Sequence, residues 1–342
     1  MKNSRLPLPS LLLNESEGRA VDWEKIFLAL FQKKLKTPEI KALLLLTAKK
    51  GIAAPEIWGS LRALRRIEHP RRPSLPFLMD VCGTGGDGKR TFNVSTVASF
   101  VIAGAGGYVA KHGNRGVSSR VGSSDLMEAL DVRLDLSFSR WLEILRECRL
   151  AYFHAPFFHP SFAGVQAVRR NLGIRTLFNL LGPLVNPVEL NYQMVGVSRP
   201  EWLSPVAEAL KRLGRKRAAV CRSRDGLDEL STSEASDILY LAGGRIQKME
   251  IHPQKLGFSK TRLGSYEGGS LAANRRLALE ILKGRLKGPA EDIVVLNSGF
   301  ALWLAGMTSS VEEGIRKSRR AIQSGRAWRV LESLRRSTAQ KR

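Results

Sequence analysis

From Trp23 to Arg66 apolar residues return at helical spacing. Ile26, Leu28, Leu30 and Phe31 lead into the polar run KKLKTPE, where Thr37 is placed to cap a helix that begins at Pro38. Leu43 to Leu46 form the apolar heart of that helix and Gly51 ends it. Pro55 then opens another, carrying Ile57, Trp58, Leu61 and Leu64. The pattern predicts a small all-helical domain over 21–70, joined by helices from about 140–175. Residues 1–20, with one short Leu-rich patch interrupted by prolines, read as a mobile tail and make a poor signal peptide. The basic, Pro-rich EHPRRPSLP reads as a linker.

After the linker the periodicity changes. PFLMDVC is a short apolar strand running straight into GTGGDG, STVASFVIAGAGG a helix, GYVAKHG a second strand, and SSDLMEAL the start of the next helix. Further strands are expected at YQMVGV and RAAVC, with a hairpin around Gly243 and Gly244. Pro289 opens a long apolar helix, EDIVVLNSGFALWLAG, with Glu291 and Asp292 in its first turn. Ile315, Ala321, Ile322, Trp328, Leu331 and Leu334 place a single amphipathic helix at the C-terminus, its solvated face basic. Strand alternating with helix is the grammar of an α/β domain with a central, mainly parallel sheet, here over 76–342.

Composition narrows the class. With 43% hydrophobic, 7% aromatic and 25% charged residues in 342, the chain is that of a folded protein, and no apolar run is long enough for a membrane span. Three scattered cysteines and five histidines without ligand spacing give neither a disulfide framework nor a transition-metal centre, and point to a reducing, cytoplasmic setting. A net charge of +24 attracts anions: phosphorylated metabolites, anionic membranes or nucleic acid. The cations are spread along the whole chain, which speaks against a dedicated nucleic-acid surface.

Three loops carry the chemistry. Gly83-Thr84-Gly85-Gly86-Asp87-Gly88 sits between a strand and a helix, where glycines let backbone amides approach a phosphate. It matches neither the nucleotide P-loop nor the dinucleotide fingerprint. Thr91, Asn93, Ser95 and Thr96 add hydroxyls and an amide at the helix start. In the second loop, Lys111 to Arg120, three cations, an amide and two hydroxyls fit phosphate or pyrophosphate better than a solvated charge run. In the third, Asp225-Gly226-Leu227-Asp228-Glu229, adjacent acids are hard ligands for Mg²⁺ when they face a polyanion.

Taken in order, GTGGDGxxTFNxST, KHGNRxVSS, GSSD, APxxHP, VRxxLGxRTLFNxLGPLxNP and GLDE resemble the motif series of anthranilate phosphoribosyltransferases. The match runs from about Thr37 to Leu302. The resemblance implies the fold of the nucleoside phosphorylase class II type, a small helical domain joined to a larger α/β domain, with the active site in the hinge. It also implies a homodimer formed through the helical domains.

It further implies Mg²⁺-dependent transfer of the phosphoribosyl group of phosphoribosyl pyrophosphate to the anthranilate amine. By resemblance, phosphoribosyl pyrophosphate is held by Gly83, Gly86, Asp87, Thr91, Asn93, Val94, Ser95 and Thr96. Lys111, His112, Gly113, Asn114, Arg115, Gly116, Val117, Ser118, Ser119 and Ser123 complete that set. Anthranilate meets Gly83 and Asn114, its carboxylate Arg169, while His112 and Pro183 shape its access path. Two Mg²⁺ per subunit are held by Ser95, Asp228 and Glu229, largely through substrate and water. No residue is assigned as a catalytic nucleophile, because positioning and electrostatics suffice for a leaving pyrophosphate and an already neutral aromatic amine. His154 and His159 are read as structural, in a Pro-rich aromatic loop. Three departures stand out: Asp131 where that family's helix ends in Gly, HPSF for HPAM, and Val121 before Gly122. A pyrimidine nucleoside phosphorylase of the same fold, or a nucleic-acid-binding relative without activity, are the alternatives.

Overall fold

A computed structural model describes residues 21–116 and 121–339, so the expected N-terminal tail and the site residues Val117, Ser118 and Ser119 lie outside the described residues. Helix α1 (Trp23–Phe31) is capped by the Asp22 carboxylate, which accepts from the Lys25 N–H at 3.1 Å. It buries Trp23, Ile26, Phe27, Leu30 and Phe31, one face of a 3.6-residue repeat. Helix α2 spans Thr37–Lys50 and starts one residue earlier than expected. Thr37 lies inside the first turn, and the flanking Lys36 N–H is held by the Glu39 carboxylate at 2.7 Å. Gly51 ends it at φ +88°, a conformation open to glycine. Helix α3 (Ala54–Arg65) crosses α1 closely, since a Cβ on Gly59 would collide with Trp23, and Glu24 pairs with Arg62 and Arg66 across the seam.

The rest of the chain builds one seven-stranded sheet in the order β3-β2-β1-β4-β5-β6-β7. Strands β1 (Met79–Gly83), β2 (Val109–Gly113), β3 (Leu150–His154), β4 (Tyr192–Gly196) and β5 (Arg217–Ser223) are parallel. Strands β6 (Ser236–Ala242) and β7 (Arg245–Ile251) add the expected antiparallel hairpin, with Gly243 and Gly244 at φ +55° and +71°. The chain is thus α/β with a mainly parallel sheet. Strand order reverses between β1 and β4, and the crevice at the carboxyl ends of strands on either side of such a switch is where α/β proteins bind ligands.

Helices α4 (Val94–Gly104), α5 (Ser123–Ala129) and α6 (Phe138–Cys148) follow β1 and β2. Past β3 come α7 (Ala155–Phe158), α8 (Ala163–Leu172) and α9 (Leu177–Leu184), and α10 (Leu203–Arg212) links β4 to β5. Helices α11 (Leu271–Leu282), α12 (Pro289–Leu304), α13 (Val311–Gln323) and α14 (Arg326–Ala339) close the fold. Two hydrophobic clusters result. One joins one side of the sheet to α4, α6, α12, α13 and α14; the other joins the opposite side to α1–α3, α8, α9 and α10. Within 140–175, α6 therefore packs with the first cluster and α8 with the helical segment.

Two expectations are corrected. The single C-terminal helix is two, broken at Ser324 and Gly325 (φ +70°), because the turn lets Ala327 pack directly on Gly104 of α4 while Ile315 packs on Gly299 of α12. The Pro-rich aromatic loop expected around His154 and His159 is instead the end of a strand, where His154 sits, followed by helix α7. LAYFH is edge strand β3, buried on both faces, which is why it shows no apolar–polar alternation.

Candidate active site

The three loops meet at the carboxyl ends of β1, β2 and β5. A cavity of roughly 500 Å³ opens there, and every described residue given a substrate or Mg²⁺ role lines it except Gly116. The Gly116 N–H is turned to the Asp125 carboxylate at 3.0 Å.

The Gly loop is shaped by its backbone. Gly85, Gly86 and Gly88 have φ of +67°, +73° and +74°, which side-chain-bearing residues adopt only at a cost. A Cβ on Gly83 would collide with the Asp228 carboxylate, so the loop can close over that acid only with glycine there. The Gly85 N–H donates to Asp228 Oδ2 at 2.6 Å, whereas the amides of Gly86, Asp87 and Gly88 have no protein acceptor among the described residues. Asp87 Oδ1 accepts from the Lys89 N–H; its Oδ2 is buried without a partner. Just beyond, α4 begins at Val94. The Ser95 N–H donates to Glu229 at 3.2 Å, and the hydroxyls of Thr84 and Thr96 are buried and unpaired.

Lys111 is 2% exposed, donating to Val81 O at 2.8 Å and Ser95 Oγ at 3.4 Å. Its ammonium thus lies between β1 and the start of α4. His112 contacts Gly182 O through Nδ1 at 3.1 Å and is held neutral, its pKa well below the usual imidazole value, first by burial and then by His159. Asn114 accepts from the Arg115 N–H through its side chain, while Arg115 points outward to Asp125 and Glu128. Beneath this loop Tyr152 OH bonds Ser123 Oγ and Ser124 Oγ, both at 2.8 Å, and Ser124 bonds His154 Nδ1 at 2.7 Å. Gly113 must lack a side chain, because a Cβ would meet both Ser123 and Tyr152.

Asp228 and Glu229 face this array from the β5–β6 connection. Burial, then Asp87 and Glu229, push the Asp228 carboxyl well above the carboxylate range. Burial lifts Glu229 to about 7 against the pull of Lys111. Among the described residues no three His, Cys, Asp or Glu side chains could hold a metal by themselves. A cation here would take only a few protein oxygens and complete its shell from elsewhere, as Mg²⁺ does with phosphates and water.

At the other end, Arg169 from α8 stacks over Phe178 at 5.5 Å and contacts Asn179 at a marginal 3.4 Å. Its Nε is buried without an acceptor, no carboxylate among the described residues pairs with it, and burial lowers its pKa to about 10. Phe162, Val165 and Pro183 give this end apolar walls. Phe162, Phe178 and Asn274 line the cavity beyond the residues that the sequence assigns to it. Asn274 accepts from the Asn93 N–H at 3.1 Å across 181 residues, with no local motif to betray it. His159 packs edge-on against His112 and is held by Glu68 of the linker at 2.6 Å, a structural setting for that histidine.

A family model described as glycosyl transferase family, a/b domain, matches residues 75–328. The anthranilate phosphoribosyltransferase of Bacillus cereus is 41% identical over 321 residues, 93% of this chain and 94% of that one. The crystal structure of the Thermus thermophilus anthranilate phosphoribosyltransferase superposes with a TM-score of 0.89 at 37% identity, covering 97% of this chain and 99% of that chain. The Saccharomyces cerevisiae enzyme in complex with phosphoribosyl pyrophosphate and Mg reaches 0.89 at 26% identity over 98% and 99%. That cavity, that fold and those likenesses together mean that the chain belongs to the anthranilate phosphoribosyltransferase family.

Proposed function

We propose that the chain transfers the phosphoribosyl group of phosphoribosyl pyrophosphate to the amine of anthranilate, releasing pyrophosphate. In a biosynthetic sequence this is the second step from chorismate to tryptophan. The observation that carries the reading is a cavity whose two ends ask for two different anions. One end offers three free loop amides and buried Lys111; the other offers a single unpaired guanidinium, Arg169, beside aromatic walls.

At the first end the polyphosphate lies on the amides of Gly86, Asp87 and Gly88 and within reach of Lys111, with Asn93, Thr91, Thr96 and Ser123 fixing phosphate and ribose hydroxyls. Gly83, Val94, Ser95, His112, Gly113, Asn114, Arg115 and Gly116 shape the rest of that surface, and Val117, Ser118 and Ser119 extend it. Asp228 and Glu229, with the Ser95 hydroxyl, offer hard oxygens to a cation that completes its shell from phosphates and water, and the crowding that raises both carboxyls is what such a cation would relieve. Mg²⁺, two per subunit in this reading, supplies charge neutralisation for the leaving pyrophosphate when bound. As the C1–oxygen bond breaks, positive charge grows on the ribose and negative charge on the pyrophosphate. In this reading Lys111 and the free loop amides stabilise the latter.

At the second end Arg169 takes the anthranilate carboxylate in its planar fork. Gly83 and Asn114 line the aromatic's path, and Pro183 and neutral His112 wall it. The amine is held against C1, and its proton is lost after attack, so no strong base is required. The two-part organisation, 21–70 with α8 against the remainder, puts the acceptor's Arg169 on one part and the Gly loop on the other. A homodimer formed through the helical segment, where Leu45 of α2 is 42% exposed, and a cytoplasmic setting complete the reading. Among the described residues no helix is long and apolar enough to cross a membrane.

Turnover tests it. With phosphoribosyl pyrophosphate and Mg²⁺ the protein should consume anthranilate fluorescence, and with thymidine and phosphate it should do nothing. Phosphorolysis of thymidine without loss of anthranilate would overturn the proposal.

A further inference from the structure

A second, smaller cavity of about 70 Å³ lies away from the site, at the seam between the helical segment and the α/β part. Its walls are largely apolar, from α3, Phe158 and the chain between α9 and β4. Two arginines line it: Arg65, the last residue of α3, and Arg215, in the turn between α10 and β5.

Arg215 is 8% exposed. Its Nε donates to Gln193 Oε1 at 2.9 Å and its Nη1 to Leu190 O at 3.3 Å, both neutral acceptors. Its Nη2 has no acceptor among the described residues, and neither the Arg65 nor the Arg215 side chain has an ion pair there. Two carboxylates also border the cavity, and both are committed elsewhere. Glu68 accepts from Ser161 Oγ at 2.6 Å and bonds His159 Nδ1 at the same distance. Glu189 is turned to solvent, 46% exposed, beside Arg72 at 3.4 Å. A buried cation without a counter-ion is costly, and a second cation next to it makes it more so. Burial, followed by the charge of Arg65, lowers the Arg215 pKa to about 10, against the weaker pull of Asp80 and Glu189, neither of which forms an ion pair with it.

We propose that this cavity is a binding site for a small oxyanion, gripped between Arg65 and Arg215. The volume is several times that of a single water site and suits a group of the size of phosphate or acetate. The fork of each guanidinium offers paired N–H donors to two oxygens, which both anion classes present. Because Arg65 belongs to the helical segment and Arg215 to the α/β part, the bound anion ties the two parts together and stabilises the folded protein by mass action.

Equilibrium dialysis of the full chain against labelled inorganic phosphate across the millimolar range tests this. Phosphate held in the large cavity is common to all variants and cancels, so the comparison does not depend on the proposed reaction. The wild type should bind one equivalent per chain more than either Arg65→Gln or Arg215→Gln, and phosphate should raise its melting temperature more than theirs. Unlabelled acetate that displaces this extra equivalent identifies a carboxylate site; acetate that leaves it in place identifies a phosphate site. Should Arg215→Gln fail to fold by circular dichroism, Arg65→Gln, at a half-exposed position, decides alone. Equal phosphate bound by the wild type and folded variants would overturn the proposal.

Discussion

Arg169 offers a test in which stability and function move in opposite directions. In the free protein its guanidinium is desolvated and has no carboxylate partner among the described residues, and burial pulls its pKa down to about 10. At about 1.36 kcal/mol per pKa unit, holding that charge costs roughly 3 kcal/mol. Arg169→Gln removes the charge and keeps a polar group that can still reach Asn179. The ligand-free variant should therefore be no less stable than the wild type, and more stable by up to about 3 kcal/mol. The same change removes a charge-assisted contact to the acceptor carboxylate, worth about 1.5–3 kcal/mol. That is about a 10- to 150-fold loss in kcat/KM for anthranilate, with KM for phosphoribosyl pyrophosphate unchanged. Urea unfolding of the free protein and fluorescence-based initial rates measure the two halves. A variant that is destabilised yet keeps kcat/KM for anthranilate within about twofold would refute the reasoning, since it would make Arg169 a structural cation.

Other residues give further checks. Asp228→Asn combined with Glu229→Gln should raise the Mg²⁺ concentration needed for half-maximal rate or abolish turnover; wild-type metal dependence would remove both acids from the site. Tyr152→Phe deletes the hydroxyl that holds Ser123 and Ser124; only the Ser123 bond, about 0.5–1.5 kcal/mol, bears on the substrate, so KM for phosphoribosyl pyrophosphate should rise about 3- to 10-fold at nearly constant kcat. A fall confined to kcat would contradict that positioning role. Asp80, fully buried at the start of β1, has its pKa raised from 3.8 to about 6 by burial, against the opposing pull of Lys111 and the hydrogen bond from Asn186. A raised carboxyl favours the folded state while protonated, so its contribution is full below about pH 4 and lost as pH rises through about 6. Asp80→Asn should therefore gain up to about 3 kcal/mol on the wild type between pH 4 and 7 in urea unfolding, and parallel pH profiles would contradict it.

The parts of this molecule that sequence discloses are those whose signal is local. The passage from β1 through the Gly loop to α4 is written in consecutive residues, as are the β2 loop and the Gly243–Gly244 hairpin. Strand β3 escaped because a strand buried on both faces has no alternation, and Pro156 and the aromatics beside it look like a loop. The break between α13 and α14 has a sequence trace that a single-helix reading passes over: at about 100° per residue a continuous helix would put Leu331 on the face opposite Ile322. Thr37 looked like the cap of α2, but the reach of Glu39 back to the Lys36 N–H shifted the helix start.

The site divides along the same line. Phosphate-binding loops declare themselves through glycines and cations at fixed spacing, so physical chemistry and family resemblance agree there. Arg169 is a lone arginine on an amphipathic helix, and only resemblance singled it out; its lack of a partner is a fact of three dimensions. Asn274 acts through a contact 181 residues away in the chain, beyond any motif, and the partner of His159, Glu68, lies 91 residues from it.

The most direct test of the account is where each substrate lies. A crystal structure with phosphoribosyl pyrophosphate, Mg²⁺ and benzoate, which keeps the carboxylate and lacks the amine, would fix both ends at once. The account predicts pyrophosphate on the amides of Gly86 to Gly88 beside Lys111, and the benzoate carboxylate on Arg169. Benzoate bound away from Arg169, or phosphates seated on Arg169 with the Gly loop empty, would contradict it.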